Sequence, residues 1–283
     1  MAKRPEETLA LPAFITKKMW RRFIDHKIAY TGGQLAYFFI LSIFPFLIFF
    51  NAVVASLDIP PNSVISFLDP FFPEQIVSLI ASYIEYISSK SSVTLLSFGI
   101  VLALFSASKS VRSLIYSFDL AYGIKKPRNF FVNTLFSMLY IFLFAVLLVL
   151  CIIIVALGND FITETLSEIV VPFDFLDLIS FLKWILMSAV LFCILSLVYK
   201  FIPSVRVKFL DTIPGTLFSL AAFLVLTSLF SFYVNVLMSS ISLYGSLSAI
   251  ILLMFWMYFA GIILVMGAEL NKLISDIKRI RSA

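Results

Sequence analysis

The sequence is poor in the side chains that metal and acid–base chemistry require. It has one histidine, His26, and two cysteines, Cys151 and Cys193, and only 13% of its residues are charged. One imidazole and two separated thiols offer neither a metal-ligand cluster nor a disulfide framework. Walker A, dinucleotide-binding and Gly-x-Ser-x-Gly motifs are also missing. We therefore expect no catalytic residue, no metal and no cofactor.

Long apolar runs dominate the chain instead, which is 61% hydrophobic. Six runs can each cross a bilayer, because about 20 apolar residues at ~1.5 Å rise span ~30 Å of hydrocarbon. The predicted spans are residues 33–57, 93–118, 132–157, 179–201, 212–235 and 246–270. The sequence therefore predicts an all-α, polytopic membrane protein with six transmembrane helices.

The basic residues predict the orientation of these helices. All Lys and Arg residues except Lys90 and Lys183 fall at one set of alternating loops and helix ends. Since basic loops stay in the cytoplasm, both termini are predicted to lie inside. A pI near 9.1 could suggest nucleic acid. The basic residues flank the membrane, however, so anionic lipids are the expected counter-charge and no nucleic-acid partner is expected.

Three regions are predicted along the chain. Residues 1–29 form a basic cytoplasmic tail and an amphipathic elbow helix, residues 30–272 form the transmembrane domain, and residues 273–283 form a second basic tail. The long outer segment 58–92 is broken by prolines and should contain short helices lying on the outer surface.

The elbow helix is expected over residues 13–28, in the cytoplasmic interface. Apolar side chains at helical spacing are predicted to share one face of it: Ile15, Met19, Trp20, Phe23 and Ile24. His26 should then lie at the level of the lipid headgroups. One interpretation of this helix is an anchor, and the sharper one is a recruiter of anionic lipid.

Several short motifs, in order along the chain, resemble the YihY/BrkB family. They are YTGGQLAY at 30–37, LSIFPF at 41–46, VYKFIP at 198–203, DTIPG at 211–215, YGS at 244–246 with Trp256, and GAELN at 267–271. The resemblance covers most of residues 30–272 and implies a six-helix, multi-pass protein of the bacterial inner membrane. Family members are labelled serum-resistance factors or ribonuclease BN. This chain lacks the residues of a nuclease, and it departs from the family at 118–120, where Phe-Asp-Leu replaces a frequent Ala-Leu-Asn.

A candidate binding site lies in the last third of the second span. Lys109 and Arg112 are three residues apart and so share a helix face. They could snorkel to the headgroups, or they could form, with Ser106, a site for a phosphate or other anion. Gln34 and Glu269 are further candidates for substrate binding. Glu269 is expected to pair with Lys109, Arg112 or a loop cation.

Other positions are expected to act as hinges or in packing. Pro45 should kink the first span, which indicates either a packing adjustment or a broken helix beside a transport path. Gly32 and Gly33 lie at the inner end of that span, and Gly245 and Gly267 lie in the family motifs of the last helix.

The function predicted from these features is transport or presentation of a lipid or amphiphile with an anionic head. The spans have no midplane carboxylate of the kind that ion-coupled carriers use, and they hold many of the 32 phenylalanines. The alternatives are a structural or assembly subunit of an envelope complex and a solute or ion exporter. The expected partners are membrane lipids, with a protein partner or a second copy of the chain.

Overall fold

The computed structural model describes residues 11–56, 61–69, 77–78, 80–82, 85, 93–124, 129, 131–143, 146–147, 173–237 and 245–282. This part of the chain is helical and contains no strand. Its helices are α1 (Leu11–Asp25), α2 (Ile28–Ser56), α3 (Pro61–Leu68), α4 (Val93–Ala121), α5 (Phe131–Leu143), α6 (Phe173–Phe201), α7 (Phe209–Leu237) and α8 (Gly245–Ser282). The all-helical prediction is therefore confirmed for the described residues.

Each of the six predicted spans falls on one helix, namely α2, α4, α5, α6, α7 and α8. The span predicted at 132–157 is described only to 143 and at 146–147, and its remainder lies outside the described residues. Helix α8 continues to Ser282, well past the predicted end at 270. In the segment 58–92, α3 and the helical residues 77–78 and 80–82 occupy the region where short helices are predicted.

Two described stretches are long and apolar enough to cross a membrane, Phe209–Tyr233 and Ile251–Ile280. Phe131–Leu143 and Met187–Phe201 are shorter apolar stretches. Large apolar side chains on the outer surfaces of α5 and α7 are exposed, among them Phe131, Leu135, Leu217, Leu229 and Phe232. A continuous apolar surface of this kind fits a membrane protein, because lipid rather than water can cover it.

Helix α8 lies at the centre of the bundle. It packs against α1, α2, α4 and α7, while α2 also packs along α4 and α6 along α7. Ile115, Phe118, Tyr199 and Ala268 are fully buried in the core. The rings of Phe118 and Tyr199 stack with centroids 5.5 Å apart, so α4, α6 and α8 meet at one place.

Two pairs of glycines allow close helix contacts. A Cβ on Gly32 of α2 would lie 2.7 Å from Ile262 Cγ1, and one on Gly261 would lie 3.3 Å from Leu35 Cβ. A Cβ on Gly215 of α7 would lie 2.1 Å from the carbonyl oxygen of Gly267. Since small residues let helix backbones approach, both contacts are packing sites.

The remaining predicted hinge positions have different surroundings. A Cβ on Gly33 would meet nothing within 4 Å. Helix α2 is continuous from Ile28 to Ser56, so it is not broken at Pro45. Gly245 is the first residue of α8.

Candidate functional site

A buried carboxylate joins the first and last helices. Glu269 of α8 has no exposed side-chain surface, and it faces Arg22 and His26 of α1. Arg22 Nη1 donates to Glu269 Oε2 at 2.8 Å and to the Glu269 carbonyl oxygen at 3.2 Å. His26 Nδ1 is hydrogen-bonded to Glu269 Oε1. Arg22 Nη2 also lies 3.8 Å from Asp276 Oδ2, and these four residues are the Glu269 cluster.

Local structure brings the two basic side chains to one carboxylate. Arg22 and His26 are four residues apart, which is about one turn, so they share a helix face. The chain then turns at Lys27, whose φ of 51° lies in the left-handed region, and α2 begins at the fully buried Ile28. The pairing offsets the cost of burying a charged carboxylate.

The Glu269 cluster corrects one expectation. Glu269 pairs with α1 rather than with Lys109, Arg112 or a loop cation. His26 is hydrogen-bonded to a buried carboxylate, and its depth at the lipid headgroups stays a prediction. The spacing of Arg22 and His26 was visible in the sequence, but their partner lies 243 residues or more away along the chain.

The predicted single apolar face of α1 is also corrected. Met19 is buried at 7% exposure, and Phe23 packs against the core. Trp20 and Ile24 remain 66% and 58% exposed. The difference arises because only the side of the apolar stripe that carries Met19 packs against the bundle. The side that carries Trp20 and Ile24 remains on the surface of the protein.

Tyr122 lies near the Glu269 cluster, in the turn after α4. Burial raises the pKa of its phenol, and the negative charges of Asp211 and Glu269 raise it further. The hydroxyl has no hydrogen-bond partner among the residues that the structure describes. Tyr122 is therefore a neutral group in this region at physiological pH.

A second polar group joins α6, α7 and α8. The Gly215 backbone N–H donates to Asn271 Oδ1 at 2.6 Å. Tyr199 Oη lies 2.5 Å from Ser219 Oγ and donates to the Leu264 carbonyl oxygen at 3.1 Å. Together with the Gly215–Gly267 contact, these bonds form the α7–α8 seam. The motifs at 198–203, 211–215 and 267–271 therefore meet in space.

Asp119 lies within the segment 118–120 that departs from the family pattern. It is 3% exposed and accepts hydrogen bonds from Ser204 N at 2.8 Å and Ser204 Oγ at 2.7 Å. An ionised carboxylate is an acceptor and can take both of these bonds. Asp119 therefore attaches the end of α4 to the α6–α7 connection.

The predicted basic site lies on α4, and we call Lys109 and Arg112 the α4 basic pair. Both side chains are half-buried. Lys109 Nζ lies 4.8 Å from the centroid of the Phe105 ring. Arg112 donates from Nε to the Ser108 carbonyl oxygen at 3.3 Å and from Nη1 to Thr134 Oγ1 at 3.2 Å. These three contacts of the pair are to an aromatic ring and to neutral oxygen atoms.

The structure brings only part of the predicted site together. Glu269 belongs to a different cluster, Gln34 is exposed on α2, and the side chain of Ser106 lies outside the description. Ser110 and Ser113 of the same helix are buried polar groups as well, and Ser113 was not singled out from the sequence. Their hydroxyl oxygens have no hydrogen-bond partner within the described part of the chain.

The described ranges were predicted to hold no metal site. Within them, no group of three or more His, Cys, Asp or Glu side chains is placed to hold a metal ion.

Comparisons with known proteins give one consistent result. The family model described as virulence factor BrkB matches residues 19–282. The ribonuclease-like protein YfkH of Bacillus subtilis is 30% identical over 265 residues, covering 93% of this chain and 96% of that protein. UPF0761 membrane proteins of Chlorobium phaeobacteroides and Pseudoalteromonas translucida are each 26% identical, over 260 and 266 residues.

The matched lengths differ among these relatives. The chain spans 58% of the Chlorobium protein and 83% of the Pseudoalteromonas protein. No solved structure gives a significant match.

Proposed function

Because the chain belongs to the virulence factor BrkB family of membrane proteins, we propose that it binds a lipid or other amphiphile with an anionic head and transports or presents it. The proposed setting is the bacterial inner membrane, with six spans and both termini in the cytoplasm.

Helix length and charge support this topology. Helices α2, α4, α6 and α7 each have 29 residues. At ~1.5 Å per residue they are about 44 Å long, which exceeds a ~30 Å hydrocarbon layer. Lys90 and Lys183 remain the two basic residues on the proposed outer side.

The observation that carries the proposed binding function is the half-buried α4 basic pair beside an aromatic ring. Lys109 takes part in none of the salt bridges found in the described residues. A charge held inside a helical bundle at membrane depth costs at least ~3 kcal/mol, so a bound anion would offset a substantial penalty. Phe105 is 53% exposed and offers an apolar surface for an acyl chain next to the head.

The same contacts favour a non-enzymatic role. His26 is the one histidine of the chain, and it is bound to Glu269. Glu269 in turn is held by Arg22. General acid–base chemistry needs a group free to exchange protons with a substrate, and these side chains serve a helix contact instead. The ribonuclease-like name belongs to the Bacillus relative.

The test is lipid binding by the purified chain, measured by native mass spectrometry with phosphatidylglycerol as the probe. The variant Lys109→Gln/Arg112→Gln should bind it about tenfold more weakly or worse, because each charge-assisted contact is worth ~1.5–3 kcal/mol. The control Arg206→Gln/Lys208→Gln removes the same charge from exposed positions in the α6–α7 connection. It should bind phosphatidylglycerol like the unmodified chain.

Equal occupancy in all three proteins would overturn the proposed site. It would favour the alternative that the bundle is a structural subunit. If both double variants lost phosphatidylglycerol binding equally, the loss would be due to net charge alone. This result would also contradict the proposal.

A further inference from the structure

Helix α1 presents two chemically different sides. One side is attached to the bundle through the buried Met19 and the bonds of Arg22 and His26 to Glu269. The other side is a stripe at helical spacing: Lys17, Trp20, Arg21 and Ile24, all exposed. We call this stripe the outward face of α1.

Among the described residues, the basic side chains on the outer side of α1 have little acidic charge beside them. Lys17 is in no salt bridge of the described residues, and Lys18 Nζ lies 5.3 Å from the centroid of the Phe14 ring. Arg21 Nε lies 3.3 Å from Asp25 Oδ2, but these side chains are 79% and 57% exposed. An ion pair this exposed is weak and leaves the arginine available to other anions. The outward face is therefore basic.

The apolar residues of the same face need a partner that is also apolar. Trp20 stacks on Phe23 with centroids 5.8 Å apart and remains two-thirds exposed beside Ile24. Tryptophan with neighbouring cations suits the membrane–water interface, where the ring enters the headgroup layer and the cations meet phosphates. Because the Glu269 cluster fixes α1, the face is already oriented for binding.

We propose that the outward face of α1 is a docking surface for anionic phospholipid headgroups of the adjacent leaflet. The surface is separate from the α4 basic pair, and its occupant is the bilayer surface rather than a transported molecule. Binding there would enrich anionic lipid around α1.

The experiment measures quenching of Trp20 fluorescence in the full chain reconstituted into vesicles. The vesicles contain equal parts phosphatidylcholine and phosphatidylglycerol, with brominated acyl chains on either one lipid or the other. The Trp20 signal is the difference between the unmodified chain and Trp20→Phe. Brominated phosphatidylglycerol should quench this signal about twofold more than brominated phosphatidylcholine, because cations enrich anionic lipid around the helix.

Matched variants separate the outward face from general charge. Lys17→Gln/Arg21→Gln should remove the preference for phosphatidylglycerol. Arg206→Gln/Lys208→Gln, which loses the same charge elsewhere, should keep it, as should Lys109→Gln/Arg112→Gln. The altered residues of the first two variants are exposed, so their melting temperatures should match that of the unmodified chain.

Three results would overturn the proposal. Equal quenching by the two lipids would show no selection of anionic heads. A loss of preference in the Arg206/Lys208 control would assign the effect to net charge. No quenching by either lipid would place Trp20 outside the bilayer and would indicate a protein partner for this face.

Discussion

The Glu269 cluster and the α4 basic pair each place two basic side chains within the helical bundle, but their surroundings differ. Arg22 and His26 meet a fully buried carboxylate that belongs to another helix. Lys109 and Arg112 meet a phenyl ring and neutral oxygen atoms. A basic pair with a buried counter-charge joins two helices, whereas Lys109, which is in none of the salt bridges of the described residues, is the cation proposed to meet an anion from outside the chain.

The family motifs and the proposed binding site consist of different residues. The family motif at 267–271 supplies Glu269 to one helix contact and Gly267 and Asn271 to another. With Ala268, which is fully buried in the core, four of its five residues take part in packing. Conversely, Lys109 and Arg112 lie outside the motifs by which the family resemblance is recognised.

The largest effect is expected from Glu269→Gln. It removes the buried counter-charge and leaves Arg22 with a neutral amide and the more distant, partly exposed Asp276, which should lower the free energy of unfolding by about 3–5 kcal/mol. Asp25→Asn is the control, because the Arg21–Asp25 pair is exposed and should matter by less than about 1 kcal/mol. Thermal unfolding in detergent measures both. Similar melting temperatures for the two variants would show that the Glu269 cluster does not stabilise the fold.

A somewhat smaller effect is expected from Gly215→Ala in the α7–α8 seam. The new methyl group would lie 2.1 Å from the Gly267 carbonyl oxygen, so the helices must separate. Overpacking of this kind costs about 3 kcal/mol or more when backbone has to move. Gly33→Ala is the matched control, since its methyl group would meet nothing within 4 Å. That change should be neutral or stabilise the helix by up to about 1 kcal/mol. If the same thermal assay gives equal stability for both variants, the close approach is not required.

The smallest effect on stability is expected from Lys109→Gln. It removes one cation–π contact, which is worth about 0.5–1 kcal/mol at a partly exposed site. The melting temperature should therefore stay close to that of the unmodified chain, in contrast to Glu269→Gln. A loss as large as that of Glu269→Gln would make Lys109 a structural residue and would weaken the proposed anion site.

Much of the helical architecture was predictable because it depends on local composition. Apolar runs of sufficient length predicted the long helices α2, α4, α6, α7 and α8 and the position of α5, and amphipathic spacing predicted α1. The candidate site was less predictable. The shared face of Lys109 and Arg112 follows from their spacing, but Thr134 as a partner depends on how α5 packs against α4. The burial of Ser110 and Ser113 likewise depends on neighbouring helices.

The sequence by itself determined that this chain is helical, apolar and basic along one set of loops, because length, hydrophobicity and charge are properties of short segments. Only the tertiary structure decided that α1 docks on α8, that Glu269 binds Arg22 and His26, and that Trp20 remains outside while Met19 is buried. Those outcomes depend on contacts between the two ends of the chain. A helical spacing pattern shows which residues share a face, but the packing of the other helices decides what that face meets.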